Sequence, residues 1–114
     1  MRILVVDDES LNRFLLTHML EENGFRDCYE AETGEQALEM AEELVPDIVL
    51  LDVVMPGMSG HDVAPKLKKL QKNTYLPVIF ITALDDEESL AKCLAVGGDA
   101  FVGKPFNKTI LSAK

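Results

Sequence analysis

Ile48-Val49-Leu50-Leu51-Asp52-Val53-Val54-Met55-Pro56-Gly57-Met58-Ser59-Gly60 is the stretch that decides the reading. Its first four residues are all aliphatic and leave no polar face. Such a run suits a strand buried on both sides, as in the middle of a parallel sheet. The run stops on an acid, Asp52, and Met55 to Gly60 then have the Pro and Gly content of a loop. Two other runs share this character. Ile3-Leu4-Val5-Val6 is followed directly by Asp7 and Asp8, and Val78-Ile79-Phe80-Ile81 is closed by Thr82.

Helical patterns fill the intervals. Leu11, Phe14, Leu15 and Met19 recur at helical spacing, with Gly24 at the C-cap. A weaker strand follows around Cys28 to Ala31. Thr33-Gly34-Glu35-Gln36 fits a capping box for a helix with Ala37, Leu38, Ala41 and Leu44 on one face, ended by Pro46. After Gly60 a basic helix runs to about Lys72. Pro65 falls inside it, where a proline costs about 3 kcal/mol. The reading is therefore a late start with Asp62 as N-cap, or a kink. Asp85-Asp86-Glu87-Glu88 opens a helix that carries Leu90 and Leu94 and stops at Gly97-Gly98. Ala100-Phe101-Val102 is a short last strand, and Phe106 to Lys114 begins a fifth helix of about two turns that looks truncated.

Strands alternating with helices predict an α/β domain with a parallel sheet. Strands two and five are shorter or more polar, as edge strands are. That agrees with a doubly wound, five-stranded sheet of order 2-1-3-4-5 with helices on both faces, an order taken from flavodoxin-like folds. The 114 residues suit one domain over 1–114.

Bulk chemistry excludes several functions. Eleven Lys and Arg against 20 Asp and Glu give a net charge of −9. A surface that acidic repels phosphate backbones and anionic lipid, so neither nucleic acid nor membrane is an expected partner. No apolar run approaches the roughly 20 residues of a membrane span. Cys28 and Cys93 form no CxxC pair and read as reduced thiols of a cytoplasmic protein. His18 and His61 read as a helix-face residue and a loop residue, too scattered for a metal site. Met55 and Met58 read as loop packing.

The polar residues gather at one edge. Asp7 and Asp8 follow the first strand, Asp52 the third, Thr82 the fourth and Lys104 the fifth. In a parallel sheet these positions share the carboxyl edge, where ligands bind. Each alone is ordinary, because an acid after a strand is usually a turn or cap residue. Together they make a site. Three adjacent carboxylates repel one another, and a hard divalent cation, Mg²⁺ or Mn²⁺, relieves that through oxygen ligands. Such a cation also offsets the charge of an incoming phosphoryl group. A carboxylate can be the nucleophile, with Lys104 and the Thr82 hydroxyl contacting phosphoryl oxygens.

These segments, with Gly97-Gly98-Asp99-Ala100-Phe101-Val102-Gly103-Lys104-Pro105-Phe106, resemble the receiver domains of two-component response regulators over Arg2 to Phe106. The resemblance implies a phosphorylation-dependent signalling switch, not a turnover enzyme. It makes Asp52 the phosphoacceptor, Asp8 a direct Mg²⁺ ligand, Asp7 its partner through water and the Val54 carbonyl a backbone ligand. Thr82 and Phe101 become the switch pair, Lys104 the phosphate-binding lysine and Lys104-Pro105 a cis peptide. It implies a histidine kinase or histidine phosphotransfer protein as donor, an output domain or effector beyond Lys114, and homodimerisation on activation. The expected readout surface is the fourth helix, fifth strand and fifth helix. Apolar Val54 and Leu84, where the family can carry polar residues that orient water, imply slow self-dephosphorylation. Gly98 departs from the family's usual alanine.

Three other readings fit less well. An aspartate-nucleophile phosphatase needs its DxD on the first strand. A flavin module of flavodoxin type needs a phosphate cradle where Asp7 and Asp8 stand. A pure docking module has no use for the complete Asp7, Asp8, Asp52, Thr82, Lys104 set.

Overall fold

The computed structural model describes residues 1–53, 55–70, 76–82 and 100–103, with the backbone alone at 82 and 100–103. The three apolar runs form β1 (Arg2–Val6), β3 (Ile48–Asp52) and β4 (Val78–Thr82). The weaker ones form β2 (Asp27–Ala31) and β5 (Ala100–Gly103). Between them lie α1 (Ser10–Glu22), α2 (Gly34–Leu44) and α3 (Gly60–Leu70). Every strand pair is parallel, and the strands line up as β2-β1-β3-β4-β5. The α/β class and parallel sheet read from the alternation are present. The helices read at Asp85 to Leu94 and from Phe106 onward lie outside the described residues.

The continuous apolar runs are divided by the two-residue period of a strand. Leu4, Val6, Val49, Leu51, Val78 and Phe80 pack with Ala37 and Ala41 of α2 and Val63, Ala64 and Leu67 of α3. Ile3, Val5, Leu50 and Ile81 pack with Leu16 of α1 on the other side. The sheet is thus covered on both faces, which is why these strands show no polar alternation.

The helix ends follow local chemistry. Gly24, at φ +92°, closes α1 in a Schellman motif. Phe25 N–H donates to Leu20 O at 2.9 Å, and Gly24 N–H to Glu21 O at 3.1 Å. Thr33 Oγ1 accepts from Gln36 N–H at 3.1 Å and caps α2. Gln36 Oε1 reaches back to Glu32 N–H at 2.7 Å, one residue earlier than a standard capping box. The last cap of α2 is Val45, a β-branched residue held left-handed at φ 49°.

Two expectations need correction. The late start of α3 does not occur: the helix begins at Gly60 and continues through Pro65. Its N-cap is Ser59, whose carbonyl accepts from Val63 N–H at 3.1 Å. The Asp62 carboxylate accepts from the Ser59 hydroxyl at 3.1 Å and from its N–H at 3.3 Å. This cap and the burial of Val63, Ala64 and Leu67 fix the helix on either side of the proline. His61 is accordingly helical, its ring edge-on to buried Phe80 with centroids 5.7 Å apart. A helical apolar stripe ordinarily faces the core, but in α1 it does not. Leu11, Phe14 and Leu15 are exposed, while Arg13, Leu16 and Thr17 are buried. The Thr17 hydroxyl turns back onto Arg13 O at 2.9 Å and needs no other partner to enter the interior.

Candidate functional site

The register brings the acids together. Val6 pairs with Leu51, so the next residues along both strands, Asp7 and Asp52, arrive side by side at the carboxyl edge. Asp7, Asp8 and Asp52 each offer a carboxylate oxygen, all within 4.8 Å of one another. Asp7 and Asp52 are 1% and 3% exposed, whereas Asp8 opens to solvent. The pocket is thus a buried acidic floor with one exposed wall. Its donor set, three hard oxygens at close quarters, fits Mg²⁺ or Mn²⁺.

Asp7 is held from several directions. Its N–H donates to Ala31 O at 3.1 Å, and its Oδ1 accepts from Glu9 N–H at 2.9 Å. The start of α3 abuts Asp52 from below: Gly60 N–H donates to Val53 O at 2.8 Å. A Cβ on Gly60 would stand 2.2 Å from Asp52 O and 2.9 Å from Val53 Cα. Only glycine permits this approach.

Of the residues singled out from sequence, the structure brings Asp7, Asp8 and Asp52 together. Thr82 ends β4, with its backbone opposite Gly103, and Phe101 lies in β5 opposite Phe80. Val54, Lys104 and Pro105 lie outside the described residues, as do Leu84, Cys93 and Gly98. Sequence reasoning missed Gly60 and Arg13. Gly60 had a signal, a glycine one residue past a serine that can cap a helix. Arg13 had only its charge inside an apolar pattern.

The family profile for the response regulator receiver domain matches residues 3–114. The chain belongs to that family. The receiver is 40% identical over 114 residues to a cyclic di-GMP phosphodiesterase of Thermotoga maritima, covering 100% of this chain and 30% of that protein. It is 38% identical over 112 residues to the phosphate regulon transcriptional regulatory protein PhoB of Pseudomonas aeruginosa, covering 98% of this chain and 48% of the relative. The receiver therefore spans half or less of the length of these two relatives. Among solved structures, the CheX-CheY-BeF3-Mg complex from Borrelia burgdorferi superposes with a TM-score of 0.90 at 31% identity, covering 97% of this chain and 83% of that one. The fold is the flavodoxin-like, CheY-like α/β fold, and membership of the family implies phosphorylation-dependent signalling. Among the described residues no helix is long and apolar enough to cross a membrane.

Proposed function

We propose that this receiver accepts a phosphoryl group on Asp52 from a phosphohistidine donor, and that the modified domain controls an output domain or partner. The observation that supports this is the acidic floor: Asp52, 3% exposed, with carboxylate oxygens of Asp7 and Asp8 within 4.8 Å. Asp7, Asp8, Asp52 and the Val54 carbonyl would hold Mg²⁺. When bound, the cation neutralises the acids and the incoming phosphoryl oxygens.

The chain's own residues do the rest. An Asp52 oxygen attacks phosphorus in line, and the phosphorus–nitrogen bond to the donor imidazole breaks. Burial keeps water from competing with the carboxylate. Lys104 sets an ammonium against the phosphoryl oxygens, beside a cis Lys104-Pro105 peptide. The Thr82 hydroxyl moves toward the same group and Phe101 turns inward behind it. These contacts exist only with phosphate in place, so they shift a two-state population and remodel the surface of the fourth helix, fifth strand and fifth helix. The domain is a switch with slow self-dephosphorylation, not a turnover enzyme. Residues 1–114 form one doubly wound receiver domain with a five-stranded parallel sheet, working in the cytoplasm. Its partners are a sensor histidine kinase or histidine phosphotransfer protein, and a second copy on activation.

Intact mass after incubation with acetyl phosphate tests this. One phosphoryl adduct is expected, requiring Mg²⁺ and lost in Asp52→Ala. Adduct persisting in folded Asp52→Ala would sink the assignment. Decay of the adduct within seconds, unchanged by Val54 or Leu84 substitution, would sink the slow-dephosphorylation part alone.

A further inference from the structure

Arg13 is the only buried cation among the described residues. Its three nitrogens go to three separate acceptors. Nη1 donates to the Asp7 carbonyl at 2.6 Å, Nε to Glu30 Oε1 at 3.1 Å and Nη2 to Glu32 Oε1 at 3.4 Å. None of these is a carboxylate oxygen of the acidic floor. Glu30 lies in β2 and Glu32 just beyond it, so the guanidinium ties the turn after β1 to the end of the neighbouring strand. The turn needs such a tie, because the N-cap of α1, Glu9, makes no side-chain capping bond. With Arg13 in place, Asp7 is anchored through its N–H, its carbonyl and its carboxylate.

We infer that Arg13 is a positioning residue for the divalent cation: it sets the turn carrying Asp7 and Asp8 in its ligating arrangement before the cation arrives. The inference rests on the Mg²⁺ reading above. The physical reason is preorganisation by an outer layer of contacts, whose loss typically weakens metal binding about 10- to 100-fold. A lysine does not substitute. Its single ammonium carries the charge but cannot span acceptors that a planar fork reaches with separate nitrogens.

Charge alone predicts the opposite sign. Removing a cation from beside three carboxylates should tighten the binding of another cation. Positioning predicts weaker binding although the site has become more negative. The two accounts therefore separate on one measurement.

The experiment is calorimetric titration of wild type, Arg13→Lys, Arg13→Gln, Arg13→Ala and Asp8→Asn with Mg²⁺, each checked for fold by circular dichroism. Hydrogen exchange of the Glu9 amide, measured without metal, is the second readout. Expected is about tenfold weaker Mg²⁺ binding in folded Arg13→Gln and Arg13→Ala, no rescue by Arg13→Lys, and faster Glu9 exchange in all three. Equal or tighter binding in Arg13→Lys, which keeps charge and bulk, would overturn the inference even if the alanine variant fails to fold. Wild type that binds no better than Asp8→Asn would instead overturn the Mg²⁺ reading, and this inference with it.

Discussion

Two helices leave the rim of the acidic pocket, and they are held in opposite ways. α3 is capped by Ser59 and Asp62 and buries Val63, Ala64 and Leu67 against aliphatic strand residues. α1 lacks a side-chain cap, buries Arg13 and Thr17 beside Leu16, and turns Leu11, Phe14 and Leu15 to solvent. Apolar spacing therefore finds the inner face of α3 and the outer face of α1. The difference teaches that periodicity reports the core side only when what lies beneath is itself apolar. Where a helix is anchored by a buried arginine that reaches out to partly exposed acids, its inner face is polar in sequence.

Substitutions can break that contrast. Leu67→Ala in α3 is expected to cost about 3 kcal/mol in a urea melt, whereas Phe14→Ser on α1 should stay within about 0.5 kcal/mol. Similar losses at the two sites would mean that the outer face of α1 is covered in solution. Gly60→Ala comes next, at about 2 kcal/mol, because its new Cβ meets backbone rather than a side chain that can swing away. A neutral result there would show that α3 can withdraw from Asp52 freely.

Val45→Asn sharpens the comparison at the far end of α2. A β-branched residue in the left-handed region costs about 1–2 kcal/mol, and asparagine tolerates it. A gain of about 1 kcal/mol is expected in thermal melts, and a loss would mean that the exposed valine side chain is packed in solution.

The smallest effect concerns Cys28, which packs against the α1-side cluster. Burial, then the charges of Glu21, Asp27 and Glu30, push its thiol up from the ordinary value. In a Cys93→Ser background, the pH profile of maleimide modification should therefore lie above that of free glutathione, and Glu21→Gln should lower it. The sign for stability follows. The unfolded chain ionises first, so this group's contribution is intact below the ordinary thiol range and lost as pH rises through the folded value. A profile at or below that of glutathione would contradict the partial burial of Cys28.

Much of the fold was legible because its signals are local. The apolar runs of β1, β3 and β4, the glycine after α1 and the Thr33 cap each announce themselves within a few residues. The acids of the pocket were legible for the same reason, since each directly follows or ends a strand. Other features were hidden. The start of α3 depended on Ser59 answering Asp62, and the helical place of His61 followed from it.

By itself, then, the sequence determined the strands, the α/β class and the edge on which Asp7, Asp8 and Asp52 gather. Only the tertiary structure decided which side of α1 lies inside, that Arg13 bridges Asp7 to Glu30 and that no side chain fits at Gly60. The physical reason is range. Strand and cap signals are written between neighbours in the chain, whereas the environment of Arg13 comes from a strand 17 residues away. At Gly60 it is the backbone of Asp52, brought back by the loop, that leaves no room.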